Sequence, residues 1–208
     1  MICRTKPLIL AAILGLAALG ARAQVALSSL TAQADAIVVG QIRSGQQYGN
    51  AVSFALTVVR SLKGTLAPGA TATVSGSSQM RSHRDLTGLF GMWFLKSQAG
   101  GQWTVVQVSR MGPLEQTYFQ LSSTASPSTV LAVPAPASLD DQIAIELAAG
   151  LRTHTDALQV HHLAGALIAA KDSAVTRSIF QSFRTSSDPE LLALALARRV
   201  SSTLRHPA

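Results

Sequence analysis

The sequence predicts an α+β protein, a small five-stranded β-barrel followed by two helical hairpins. Three observations predict it. Five short segments between residues 36 and 108 alternate apolar and polar side chains, with turn residues between them. Residues 122–138 are rich in Ser, Thr, Ala and Pro, with Pro127, Pro134 and Pro136 among them, the composition of a semi-extended linker. From Ser138 onward, apolar residues recur at helical spacing in four successive stretches.

The 208-residue chain opens with Arg4 and Lys6, an apolar run from Leu8 to Leu19, and Ala21-Arg22-Ala23 before Gln24. These are the three parts of a secretory signal, with cleavage expected after Ala23. The run falls short of the roughly 20 apolar residues that cross a hydrocarbon core, so a cleaved signal is favoured over an anchor and no membrane span is expected after cleavage. The expected destination is the periplasm or the extracellular space. Cys3 is the only cysteine, so the mature chain would hold no disulfide and no thiolate ligand, and must rely on its hydrophobic core. Arg4, Lys6 and Arg22 leave with the signal, which reduces 17 basic residues to 14 against 10 acids, a net charge of +4 in place of +7. The surplus falls on the first half, since residues 134–208 carry seven charges of each sign. The resulting division is signal peptide 1–23, barrel domain 24–121, linker 122–138 and helical domain 139–208.

Residues 27–35 read as a short helix with Leu27, Leu30 and Ala34 on one side. The first strand is Ala36 to Ile42, rich in β-branched residues. In the second, Ala51 to Arg60, Val52, Phe54, Leu56 and Val58 share one face while Ser53, Ala55 and Thr57 share the other. Leu62-Lys63-Gly64 and Pro68-Gly69 turn the chain into a third strand, Ala70 to Val74. Leu89 to Leu95 is the fourth and Trp103 to Val108 the fifth, joined by Ala99-Gly100-Gly101-Gln102, whose glycines suit a tight turn with positive φ.

Ala34-Asp35-Ala36-Ile37-Val38-Val39-Gly40, Val58 to Gly64 with its Leu62-Lys63-Gly64, Pro68-Gly69 and Gly91-Met92-Trp93-Phe94-Leu95 resemble a recurring pattern of secreted bacterial proteins. The resemblance implies a five-stranded domain of the OB or inhibitor-like netrin barrel type over less than half of the mature chain. It speaks for a scaffold and little for an activity, because OB-type barrels host many functions. Metalloprotease inhibitors of this barrel type use an amino-terminal cysteine, whereas the expected mature start here is Gln24.

The helices follow in order. Ser138 caps the first with Asp141 at the box position, and Ile143, Leu147 and Leu151 line it. The second runs from about Asp156 to Ala170 with Val160, Leu163, Ala164, Leu167 and Ile168 as its stripe. The third covers Ser173 to Arg184, with Val175, Ile179 and Phe183 along one side. Ser187-Asp188-Pro189-Glu190 opens the fourth with a cap, a first-turn proline and an early acid. The segment Asp188 to Val200 is similar to the start of HEAT-type repeats, which implies a HEAT-like pair of hairpins; a small helical bundle describes four such helices equally well.

Chemistry is sparse. His154, His161 and His162 lie within nine residues, but neighbours on a helix point a quarter-turn or more apart and the i, i+4 spacing of zinc helices is missing, so flanking or solvent-facing roles are expected and no metal. No P-loop, G-x-S-x-G or nucleophilic cysteine is present, and no cofactor is expected. Arg81-Ser82-His83-Arg84-Asp85 is the densest basic segment of the barrel half. Placed in the connection between strands three and four, Arg81, His83 and Arg84 could hold an anionic ligand, since the Arg fork suits carboxylate and phosphate; a solvated loop is the plainer reading. Trp93, Trp103, Tyr118 and Phe119 could stack on bases or sugars, although Trp93 sits in an apolar strand that suits a core. Nucleic acid is a poor expectation for an exported protein with so small a surplus of charge.

Three functions remain open. The first is an exported non-enzymatic binding or protein-interaction module, with an envelope protein or anionic ligand as partner. The second is a hydrolase with a site drawn from Asp85, His83 and Glu115. The third is a structural cell-envelope protein.

Overall fold

The structure, a computed structural model, describes residues 27–106 and 118–205, with residues 78–82, 84 and 200–205 described by backbone alone. The expected signal peptide, the mature start at Gln24, the end of the fifth expected strand at Val108 and Glu115 lie outside the described residues. The chain is mixed α+β and divides into two compact units. One is Ala26–Ser126 with Thr153–Gln159, and the other contains Pro127–Arg152 and Val160–Ala208.

The first unit begins with helix α1 (residues 27–33), which buries Leu30 and the following Ala34. Strand β1 (Ala36–Lys63) pairs antiparallel with both β2 (Thr71–Asp85) and β3 (Phe90–Ser97). β4 (Trp103–Val105) joins β2 in parallel and β3 antiparallel, which closes a ring in the order β1-β2-β4-β3. β5 (Tyr118–Gln120) stands outside the ring and pairs with Gly91–Trp93 of β3. The small closed β-barrel expected from the alternating segments is therefore present.

β1 folds back on itself, and this supplies two walls of the ring. A straight strand would separate residues 40 and 57 by more than about 50 Å. Instead Arg43 Nε donates to Thr57 Oγ1 at 3.1 Å, and a Cβ placed on Gly40 would lie 2.5 Å from the Thr57 carbonyl oxygen. The corner falls at Gly49, whose φ of 60° a side-chain-bearing residue seldom adopts. Ala36, Val38 and Ile42 from the first limb meet Val52, Phe54, Leu56 and Val58 from the second in one core, with Ala72, Val74, Trp93, Leu95, Val105 and Tyr118. The single-face alternation read in the second limb is the alternation that the ring encloses.

β2 differs from its expected extent. The segment read as a strand ending at Val74 and a long connection continues as strand to Asp85, because Gln46–Gly49 of β1 supply backbone partners for Ser82–Asp85. Residues 75–85 lack apolar alternation, and their strand character follows from backbone pairing with β1. β5 was also illegible as a strand; three residues outside the ring leave no periodicity to read.

The turns follow their glycines. Gly64, Gly69, Gly100 and Gly101 all have positive φ, and the last two lie in a 3-10 turn, Ala99–Gly101, between β3 and β4. Lys63 does more than turn the chain. Its Nζ donates to the carbonyls of Thr31 at 3.0 Å and Ala34 at 2.5 Å, placing a cation at the C-terminal end of α1, where it complements the helix dipole. Asp35 is tied on the other side. Its N–H donates to Leu95 O, and its carboxylate accepts from the Ser97 N–H at 2.9 Å and the Ser97 hydroxyl at 3.0 Å. The Leu-Lys-Gly and Ala-Asp motifs thus latch α1 to β1 and β3.

The helical unit contains α2 (Pro127–Val130), α3 (Leu139–Thr153), α4 (Ala157–Ala169), α5 (Ala174–Arg184) and α6 (Pro189–Arg205), although the first residues of α4 cluster with the β unit. One turn of helix, begun by Pro127, thus sits inside the stretch read as a linker. Ile143, Leu147 and Leu151 are buried along α3, and Val175, Ile179 and Phe183 along α5. The Asp141 N–H donates to Ser138 Oγ at 3.2 Å, while its own carboxylate accepts from the Ala137 N–H at 3.0 Å. That carboxylate is buried, and the Ser173 hydroxyl first, then the Ala137 and Ser138 groups, hold it below the usual carboxylate range against the effect of burial.

Ser173 is itself the N-cap of α5. It accepts from the Thr176 N–H at 3.1 Å, and the Thr176 hydroxyl accepts from the Ser173 N–H at 2.8 Å. One serine therefore closes a capping box and supports a buried carboxylate on α3. Ser173→Ala is expected to lower stability by about 1–2 kcal/mol, the upper part of the range for a lost cap. Urea midpoints of the variant and parent measure it; an unchanged midpoint would mean that neither bond contributes.

Candidate interaction site

The segment singled out by its charge forms one strand of a two-stranded ribbon. Gln46, Gln47, Tyr48 and Gly49 of β1 stand opposite Asp85, Arg84, His83 and Ser82 of β2. The register slips immediately beyond, where Ala51 meets Ser77, so β2 accommodates three more residues than β1 and the ribbon bends. Such irregularities re-aim side chains at the ends of barrels.

Side chains alternate across the ribbon. Gln47 is buried, whereas Tyr48 is 74% exposed, the largest exposure among the large hydrophobic side chains described as exposed. His83, directly across from Tyr48, is exposed and meets it edge to face with ring centroids 4.5 Å apart. Of the residues expected to bind an anion, His83 is thus placed beside an aromatic ring at the surface. Arg81 and Arg84 lie on the same strand, and Arg84 stands in register with Gln47; their side chains lie outside the described residues.

Asp85 has a local task. Its Oδ1 accepts from the Thr87 N–H at 2.8 Å, and the Thr87 hydroxyl and N–H keep the carboxyl below its ordinary value. This Asx turn leads the chain through Gly88, whose N–H returns to Ile42 O at 2.8 Å, and on into β3. Asp85 and His83 share a strand face, but Asp85 is engaged in shaping this turn.

The aromatic residues that could have stacked on a ligand are mostly enclosed. Trp93 is wholly buried, its Nε1 donates to Gly40 O at 3.2 Å, and its ring stacks on Tyr118 at 4.4 Å. Trp103 packs against the core and Phe119 makes an edge contact with Phe94. Among the described residues the exposed aromatic is Tyr48, which lies between the first two expected strands. The signal available was Tyr-Gly-Asn, an aromatic beside a residue able to take positive φ at a strand corner.

The histidine segment is also dispersed. α4 starts at Ala157, so His154 lies before the helix, His161 is exposed on it, and His162 is half-buried with its Nδ1 unpartnered among the described residues. Among the described residues no three His, Cys, Asp or Glu side chains are grouped to hold a metal ion, and no helix is long and apolar enough to cross a membrane. In comparisons with known proteins, no protein family, no curated protein and no solved structure matches this chain.

Proposed function

We propose that the protein is an exported, non-enzymatic binding module that engages an acidic partner, an envelope protein or another anionic ligand, through the tip of the β1–β2 ribbon. The observation that carries this reading is the exposed Tyr48–His83 pair across β1 and β2, the second of which also bears Arg81 and Arg84. A protruding tyrosine on hydrogen-bonded backbone offers contact area at low entropic cost, and hot spots are enriched in Tyr and Arg. The closed order β1-β2-β4-β3, with β1 folded back to provide two walls, supports an OB-like barrel as the platform. The succession of capped helices α3 to α6 supports a HEAT-like second part. The basic, apolar and small-residue order of residues 4–23 supports export to the periplasm or beyond.

The test is capture from envelope extract with residues 24–208 as bait, beside Tyr48→Ala and the Arg81→Ala, Arg84→Ala double variant, at two salt concentrations. The expected result is a partner whose retention falls with salt and falls at least about 30-fold in each variant, the loss of a hot spot of about 2 kcal/mol. Capture of nothing, or of a partner that both variants retain, overturns the assignment of the ribbon.

A further inference from the structure

His154 occupies the connection between α3 and α4 and serves as an acceptor there. Its Nδ1 receives the Asp156 N–H at 3.3 Å. An imidazole that accepts at Nδ1 carries its proton at Nε2, and that nitrogen is buried without a hydrogen-bond partner among the described residues. The neutral ring is thus committed to one tautomer by the turn that it closes.

The same turn begins α4. Asp156 Oδ1 accepts from the Gln159 N–H at 3.0 Å, the bond of an N-cap to its third helical residue, and the acid also complements the helix dipole. One residue, Asp156, therefore gives its N–H to His154 and its carboxylate to the helix. From these bonds we infer that protonation of His154 acts as a switch that opens the turn at residues 154–156 and releases the N-cap of α4.

The chemistry follows from the donors. A proton arriving at Nδ1 turns the acceptor into a donor facing the Asp156 N–H, and that bond is lost. The new N–H and the positive charge then compete for the Asp156 carboxylate that caps Gln159. Burial opposes the charged ring and the Asp156 charge favours it, burial being the stronger, so the folded-state pKa lies below the ordinary 6.5. Asp156 is the charged group that acts on His154. The facing segment contributes the Ser122 hydroxyl, which donates to the adjacent Thr153 hydroxyl at 2.6 Å and brings no charge. Because the closed turn holds the neutral ring, its stability is complete above pH 6.5 and declines as pH falls from there towards the lowered folded-state value.

The test is a pH titration of the full chain followed by the amide resonances of Asp156 and Gln159, together with the ring resonances of His154. The expected result is one shared midpoint below 6.5 for all three. The amide transitions should vanish in His154→Gln and persist in His161→Gln. Asp156→Asn keeps a capping oxygen and removes the charge, so the His154 midpoint should move to lower pH in that variant. Amides that do not follow His154, or a transition retained in His154→Gln, would overturn the switch. Should His154→Gln fail to fold, the parent titration and the direction of the Asp156→Asn shift decide the matter alone.

Discussion

Trp93→Ala is expected to destabilise the β-barrel by about 3–5 kcal/mol, the range for deleting a large buried aromatic. Three interactions leave together. The ring lies nearly parallel to Tyr118, 4° between planes, and tilts against Phe54 at a centroid distance of 5.0 Å. Its Nε1–H is a buried donor to Gly40 O across the β1–β3 pairing. Alanine leaves a void lined by Phe54 and Tyr118, neither of which can close it without leaving its strand register. Against a total stability of about 5–15 kcal/mol, that loss removes a large share of the barrel's stability, seen as early loss of amide protection across β1 and β3. Trp93→Phe keeps a ring and loses the hydrogen bond, so a smaller cost of about 1–2 kcal/mol is expected. If alanine cost no more than phenylalanine, the stacked arrangement would contribute nothing. The result also bears on the proposed function, since a ring that anchors the core is not offered to a ligand, whereas Tyr48 is exposed.

The parts of the fold that announce themselves are those in which burial acts through a regular period. Val52, Phe54, Leu56 and Val58 alternate because the ring interior takes every second side chain, and the same residues are buried in the structure. Ser138, Ser173 and Asp188 mark helix starts because exposed N–H groups need oxygen partners, and each stands immediately before a helix. Ser82–Asp85 have no such period. They are strand because Gln46–Gly49 are within reach of their backbones, a relation between residues more than thirty positions apart that local composition does not carry. The proposed ribbon site was half legible for the same reason. His83 and its arginines were visible as charge, but the pairing that sets Tyr48 against His83 depends on register.

The largest backbone effect is expected at Gly64. Gly64→Ala should cost about 3–5 kcal/mol, and Gly69→Ala, five residues on, about 1–2 kcal/mol. Both glycines have φ near 90°, at 90° and 86°, so both variants suffer the left-handed strain of roughly 1–3 kcal/mol. Their surroundings differ. A Cβ on Gly69 would meet nothing within 4 Å, whereas one on Gly64 would lie 2.5 Å from the Asp35 carbonyl oxygen and 3.0 Å from Ala36 Cα. The Asp35 backbone is ill placed to retreat, since its N–H is bonded to Leu95 O and its carboxylate to Ser97. Crowding of that kind adds about 1–3 kcal/mol. The displacement would also draw Lys63 away from the Thr31 and Ala34 carbonyls, so α1 should lose protection before the barrel does. Equal costs at the two glycines, measured by urea midpoints and by exchange of the α1 amides, would reduce the Leu-Lys-Gly segment to an ordinary turn. The expected difference would identify it as the clasp that holds the first helix to the start of β1.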